Sequence, residues 1–446
     1  MNQSEKTTVD LLISSAWIIP VVPRETILEN HSVVIKDKKI LAIGPTQEMQ
    51  QKYQAAETVS LPDHVLMPGM VNAHGHSAMA LFRGIADDIP LKQWLEDRIW
   101  PLEGNYVSAE FVHEGALLAM AEMIAGGTTC FADMYFFPDE VARAASDAQM
   151  RVQLASPVLD FPTAWAQDAD EYISKATQLH DDYRSSEFIY SAFGPHAPYT
   201  VSDEPLQKIA VLAEELDVPI HIHMHETAQE VADALASDKR RPLQRMADLG
   251  LISPRLVCVH ATQLTDHERQ VLAEFGASVI HCPSSNLKLA SGFCEVEKLR
   301  NSEVNVGLGT DGAASNNDLD MFGEMQLAAM LAKAVAGDAS AVPASYALEM
   351  ATINSARAMG LDSLLGSIEP GKYADLAAVS MQPLHTTPVN NPLSHLVYAS
   401  GAHQVSHVWC SGKALLVEGE LKTLDESFIR ERAAYWQKKF VSENQH

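Results

Sequence analysis

The sequence predicts an α/β protein: a (β/α)8 TIM-like barrel carrying a small β-sandwich built from both chain ends. Three observations predict it. Between residues 68 and 370, short apolar runs of strand length alternate with longer segments of helical spacing. Both ends of the chain read instead as short strands separated by turn residues. The length, 446 residues, suits a large barrel plus a smaller unit better than one ordinary core. The expected division is a composite domain of 1–67 and 371–446 around a barrel of 68–370.

The chain opens on a polar, mixed-charge segment. Strand-like runs follow at Asp10–Val22, Ser32–Ile35 and Ile40–Ile43, the last ended by Gly44-Pro45. The apolar run at 11–22 is too short to span a membrane and lacks a small-residue cleavage site, so it reads as a strand. Eight barrel strands are expected at Val65–Ala73, Thr128–Met134, Arg151–Ala155, Ile189–Phe193, Val218–His223, Leu256–His260, Ala277–His281 and Val304–Gly309. Ser108–Ala125 shows helical spacing of Phe111, Leu118 and Met123, with an N-cap at Ser108 and a stop at Gly126-Gly127. Strands resume at Ala374–Val379, His407–Cys410 and Ala414–Val417, with Gly371 and Gly412 at turns, and 425–442 closes as an amphipathic helix. A doubly wound open sheet is the fold alternative, but no G-x-G-x-x-G follows the first strand.

Hydrophobic content of 47% and charged content of 20% are those of a globular protein. The formal net charge of −26 repels phosphate backbones and anionic membranes, which argues against nucleic-acid and membrane partners but not against free nucleosides. The five cysteines are odd in number and lack C-x-x-C pairing. They read as reduced, mostly buried cysteines of a cytoplasmic protein.

The polar residues gather where barrel chemistry sits, at the C-terminal ends of strands. His74 and His76 end the first strand with only Gly75 between them, and residues two apart on a strand point the same way. Such a neutral nitrogen pair suits Zn²⁺ or a similar borderline metal. His196 follows the fourth strand. The fifth ends in His221-Ile-His223-Met-His225-Glu226, the sixth at His260, the seventh at His281, and Asp311 follows the eighth. Strand parity alone does not choose among His221, His223 and His225.

The P-G-x-V-N-x-H-x-H opening at 68–76, the H-x-H-x-x-E around His223 and Glu226, and the T-D-G-A-A-S-N-N at 310–317 resemble the amidohydrolase superfamily. Within it the chain resembles the 5′-methylthioadenosine/S-adenosylhomocysteine deaminases, almost end to end, including Gly366–Asp375. The resemblance implies one divalent ion, Zn²⁺ first and Fe²⁺ or Mn²⁺ as alternatives, on His74, His76, His223 and Asp311. Three imidazoles and one carboxylate leave a net positive site with room for a water. Two-metal members of the superfamily place a lysine where this chain has His196, which argues for a single metal. The resemblance makes Glu226 the proton shuttle, with His260 and Asp311 orienting or deprotonating the nucleophile. His221 and His225 are assigned supporting roles, and His281 a supporting or structural one.

The implied reaction is hydrolytic deamination of a 6-aminopurine nucleoside. Glu103 aligns with the residue that grips ribose hydroxyls, and a carboxylate accepts two hydrogen bonds at once. Trp94 aligns with the aromatic near the 5′ substituent, where a ring can cover a methylthio group. His196 is expected at the ribose or ring face and Ser315 at the purine. Relatives that take S-adenosylhomocysteine carry arginine after the third strand to clamp its carboxylate, whereas residues 152–183 contain none. The expected preference is therefore methylthioadenosine, then adenosine. Guanine or s-triazine hydrolysis is the alternative within enzymes, and a non-catalytic scaffold the alternative outside them. A homo-oligomer, dimer or tetramer, is expected for this fold.

Overall fold

The computed structural model describes residues 6–443, so the first five residues of the polar opening segment lie outside it. Eight parallel strands form one sheet in strict chain order: Met70–Asn72, Thr128–Asp133, Arg151–Val158, Ile189–Pro195, Ile220–Met224, Leu256–His260, Ser278–His281 and Asn305–Leu308. The ring is drawn together where the first and eighth strands end, by Ala73 N–H donating to Leu308 O at 2.9 Å. Val71, Ala73, Cys130, Ala132, Val257, Val259 and Ile280 pack in one buried cluster with Ala356 and Met359. The lower barrel is thus a filled core rather than a pore, and polar groups have room only at its mouth.

The first barrel strand is shorter than its apolar run suggested. Residues 65–68 belong to a longer strand, Tyr53–Pro68, of the other sheet. Gly69 makes the transfer between the two. A Cβ there would lie 2.2 Å from Thr129 Oγ1, so only glycine lets the backbone pass. His74 and His76 consequently stand in the loop beyond Asn72, not on the strand itself.

Both chain ends contribute to that second sheet. The expected sandwich strands are hydrogen-bonded as one continuous eight-stranded sheet. Tyr53–Pro68 is its seam: it pairs parallel with Thr7–Ile18 on one side and antiparallel with Leu376–Ser380 on the other. The helix Ala109–Ala125 begins as its sequence foretold, with Ser108 Oγ accepting Phe111 N–H at 3.2 Å and Gly126 at its C-terminal end. The closing helix spans Glu426–Glu443 and packs Trp436 and Phe440 near Phe111. All five cysteines are buried and unpaired. Among the described residues, no helix is long and apolar enough to cross a membrane.

A buried ion pair fastens the end sheet to the barrel. Arg151, the first residue of the third barrel strand, has a fully buried side chain. Its Nε donates to Asp375 Oδ2 at 2.7 Å, and its guanidinium also reaches the hydroxyl of Ser411 and the carbonyl of Glu187. The Tyr373 ring lies 4.0 Å from its centre. Asp375→Ala would leave this cation unpaired in the interior, at a cost of roughly 3–5 kcal/mol. Urea unfolding should show the midpoint drop accordingly, and Arg151→Met in the same chain should recover part of the loss.

Candidate active site

Three strand ends and the first loop converge on one point. His74, His76 and Asp311 offer ligand atoms within 4.8 Å of one another, as do His74, His223 and His260. His74 Nε2 and His76 Nε2 lie 3.3 and 3.2 Å from the same oxygen, Asp311 Oδ1. The approach of the first loop to the eighth strand is close. Asp311 N–H donates to His74 O, and a Cβ on Gly309 would meet His74 N at 2.8 Å.

Each imidazole is oriented through its other nitrogen. His76 Nδ1 bonds Met134 O at 2.6 Å, and His223 Nδ1 bonds His196 O at 2.6 Å. A carbonyl only accepts, so these nitrogens carry the protons and the two Nε2 lone pairs face the centre. His74 Nδ1 meets His221 Nε2 at 2.8 Å, and His260 Nδ1 meets Asn286 Oδ1 at 2.8 Å. His74 Nε2 is buried without a hydrogen-bond partner. Such an atom, aimed at a carboxylate oxygen shared with a second imidazole, fits a resident divalent ion.

Electrostatics agree. Burial alone would raise the Asp311 carboxyl, but hydrogen bonding with His74 and His76 holds it well below the usual range. Burial lowers His74 to about 4 and His223 well below its ordinary value. Burial also opposes charge on His76, yet Asp311 and the Met134 carbonyl outweigh it and lift the ring to about 9. Neutral His74 and His223 beside an ionised Asp311 form a donor set that a cation would complete.

Glu226 stands 3.8 Å from His260 Nε2 through Oε2, and its Oε1 accepts from Ser291 Oγ at 3.2 Å. Burial raises its carboxyl, and Asp311 adds to that effect. Its backbone is clamped at both ends. Glu226 N–H donates to Glu230 Oε2 at 2.7 Å, and Thr262 Oγ1 donates to Glu226 O at 2.7 Å.

Above this floor opens a cavity of about 320 Å³. His76, His196, His223, Glu226, His260 and Asp311 form its polar end, and Trp94, Glu103 and Tyr135 lie in its walls. Trp94 is 5% exposed, and its indole N–H is buried without a partner. Burial pushes the Glu103 carboxyl up to about 7, against the Tyr135 phenol facing it. His196 bonds Thr200 Oγ1 through Nδ1 at 3.0 Å and keeps its ring 5.0 Å from that of His223.

The histidines that parity could not separate take three different places. His223 faces the centre. His221 stacks on His74 at 5.0 Å and orients it. His225 turns away: its Nε2 accepts Leu243 N–H at 3.0 Å. His281 is buried, with Nδ1 unpartnered, and does not line the cavity. Ser315 was expected at the purine, but its hydroxyl donates to Asp311 Oδ2 at 2.9 Å and it does not line the cavity. Its place is at the carboxylate, beside Ser285, which donates to the same oxygen at 2.6 Å. Ser285, Asn286, Ser291 and Thr262 escaped the sequence reading because no local pattern marks a residue whose partner is distant. Glu230 had a signal, since Thr227-Ala-Gln-Glu230 has helix-start spacing.

Residues 65–415 match the amidohydrolase family. The chain belongs to that family. Among relatives within it, a 5-methylthioadenosine/S-adenosylhomocysteine deaminase of Saccharophagus degradans is 52% identical over 440 residues, covering 99% of each chain. A 5′-deoxyadenosine deaminase of Methanothermobacter thermautotrophicus is 43% identical, over 91% of this chain and 94% of its own. Among solved structures, an adenosine deaminase from Xanthomonas campestris with bound zinc is 48% identical, with a TM-score of 0.97 over 98% of this chain and 100% of that one.

An amidohydrolase centre of this form should hold about one divalent ion per chain by elemental analysis. His221→Phe removes the acceptor that orients His74, and should weaken metal affinity by roughly 10- to 100-fold in a chelator competition.

Proposed function

We propose that this chain hydrolytically removes the 6-amino group of a purine nucleoside, with 5′-methylthioadenosine the preferred substrate, releasing the inosine analogue and ammonia. The observation that carries the reading is the Glu226–His260 pair set against the His74, His76, His223 and Asp311 cluster. It lies on the floor of a cavity whose wall holds Glu103.

A divalent ion on those four ligands would supply Lewis acidity for a hydrolytic water. The protein's own groups move the protons. Glu226, its carboxyl raised by burial, holds a proton and delivers it to purine N1, which makes C6 electrophilic. His260 presents Nε2 toward the same carboxylate while Asn286 anchors Nδ1, so the ring can accept the proton of the attacking water. Asp311 keeps its orientation through Ser285, Ser315 and Gly312 N–H. Collapse breaks the C6–N bond as His260 returns its proton to the amino group, which leaves as ammonia; the C6 hydroxyl proton passes back to Glu226 and the N1 proton stays on the product. Glu103 takes the ribose hydroxyls, and His196 borders the sugar or ring.

Two features support methylthioadenosine. Leu91, Leu95, Trp100 and Phe161 give one end of the cavity an apolar lining, and no lysine or arginine lines it among the described residues. A methylthio group suits such a wall, whereas the wall itself offers an amino-acid carboxylate no cation. Steady-state kcat/KM for methylthioadenosine should exceed that for S-adenosylhomocysteine; equal or reversed values sink this preference.

For the chemistry itself, Glu226→Gln should lower kcat for ammonia release by roughly 10²–10⁴-fold while the metal content stays at the wild-type level. Undiminished turnover in that variant would remove Glu226 from the proton path.

A further inference from the structure

One cavity-lining group has no place in the scheme above. Tyr135 follows the second barrel strand, is 3% exposed, and carries a hydroxyl that is buried with no partner in hydrogen-bond geometry. A buried polar group left unmatched costs roughly 1–3 kcal/mol, so proteins seldom leave one without a use. The hydroxyl is not stranded in the core, because Tyr135 lines the cavity. Glu103 lies near enough for the phenol's hydrogen-bonding pull to draw that carboxyl's pKa down against burial, and burial followed by the Glu103 charge drives the phenol's own pKa well up. At ordinary pH it is therefore a neutral O–H donor beside a carboxyl.

Its backbone fixes where that donor stands. The preceding carbonyl, Met134 O, accepts His76 Nδ1–H at 2.6 Å, and the Tyr135 and His76 rings lie 6.4 Å apart. The loop that orients a metal-facing imidazole thus also sets the donor at a fixed remove from the reacting centre. The Phe136 ring lies 5.4 Å away, tilted against the phenol ring.

We propose that Tyr135 is a specificity-determining residue that, with Glu103, makes a donor–acceptor pair for a vicinal diol. The inference rests on the nucleoside reading given above and deepens it. Vicinal hydroxyls offer two protons and several lone pairs. Above about pH 7, where its carboxyl is ionised, Glu103 accepts the protons but donates nothing. Tyr135 O–H supplies the missing donor to one of the two oxygens. The pair then selects ribonucleosides: removing that oxygen from the substrate leaves Tyr135 unmatched again, and a site built to bond a hydroxyl rejects the analogue lacking it.

The test measures kcat/KM for adenosine, 2′-deoxyadenosine and 3′-deoxyadenosine in the wild type, Tyr135→Phe and Glu103→Gln. Zinc content of each variant reports an intact site. Tyr135→Phe keeps the ring and should lose about tenfold on adenosine, the scale of one hydrogen bond. Against one of the two deoxy analogues that loss should disappear, so the preference for ribose contracts. An equal loss on all three substrates, or none on any, overturns the proposal. Should Glu103→Gln contract the preference while Tyr135→Phe does not, the sugar reading stands and this inference alone fails. Should neither variant alter it, the sugar role of Glu103 and this inference fall together; should the wild type release ammonia from none of the three nor from 5′-methylthioadenosine, the nucleoside reading falls with them.

Discussion

A carboxylate sunk among imidazoles is the constraint on which the site depends. Asp311 is 6% exposed, and an isolated ionised carboxylate at that depth is untenable. Everything around it answers that demand. Ser285 and Ser315 donate to Oδ2, Gly312 N–H donates to Oδ1, and two imidazole nitrogens face Oδ1. The compensation comes from three segments, the first loop, Ser285 after the seventh strand and the turn of Asp311 itself, so the barrel must close before the site exists. Closure and chemistry share atoms: His74 O, which accepts Asp311 N–H, belongs to a residue whose ring faces the same carboxylate.

Rigidity has a second source. Each of His74, His76, His223 and His260 rests on an anchor from another part of the ring: His221, Met134 O, His196 O or Asn286. The backbone is bent to suit. His225, His260 and Asp311 all adopt left-handed φ, at 53°, 72° and 62°. Residues with a Cβ hold such conformations only where surrounding bonds enforce them. Here the enforcing bonds are visible. Glu230 accepts the N–H groups of both His225 and Glu226, and Ala261 N–H, next to His260, bonds Met224 O.

Much of this was legible in the sequence because it is carried by period and position. Strand-length apolar runs gave the barrel, and histidines at their ends gave the mouth. The capping serine at 108 and the glycine at 126 bounded their helix correctly, since caps are local chemistry. The first strand was overextended because its apolar run continues across Pro68-Gly69 into a different sheet, and hydrophobicity does not record which sheet a residue joins. Ser315 was placed at the purine by resemblance alone, and its nearness to Asp311 in the chain does not say which way a hydroxyl points. Tyr135 went unnoticed for a related reason. An aromatic after a strand reads as core, and only a cavity with an unmatched hydroxyl in its wall distinguishes it.

The seam strand has a consequence for how the molecule comes into being. One edge of Tyr53–Pro68 is met early by Thr7–Ile18, but its other edge waits for Leu376–Ser380. A ribosome must deliver the whole barrel before that segment emerges. Through most of its synthesis the nascent chain therefore displays an open β-edge leading directly into the loop of His74 and His76. A chaperone that shields this edge would be guarding the catalytic mouth as well.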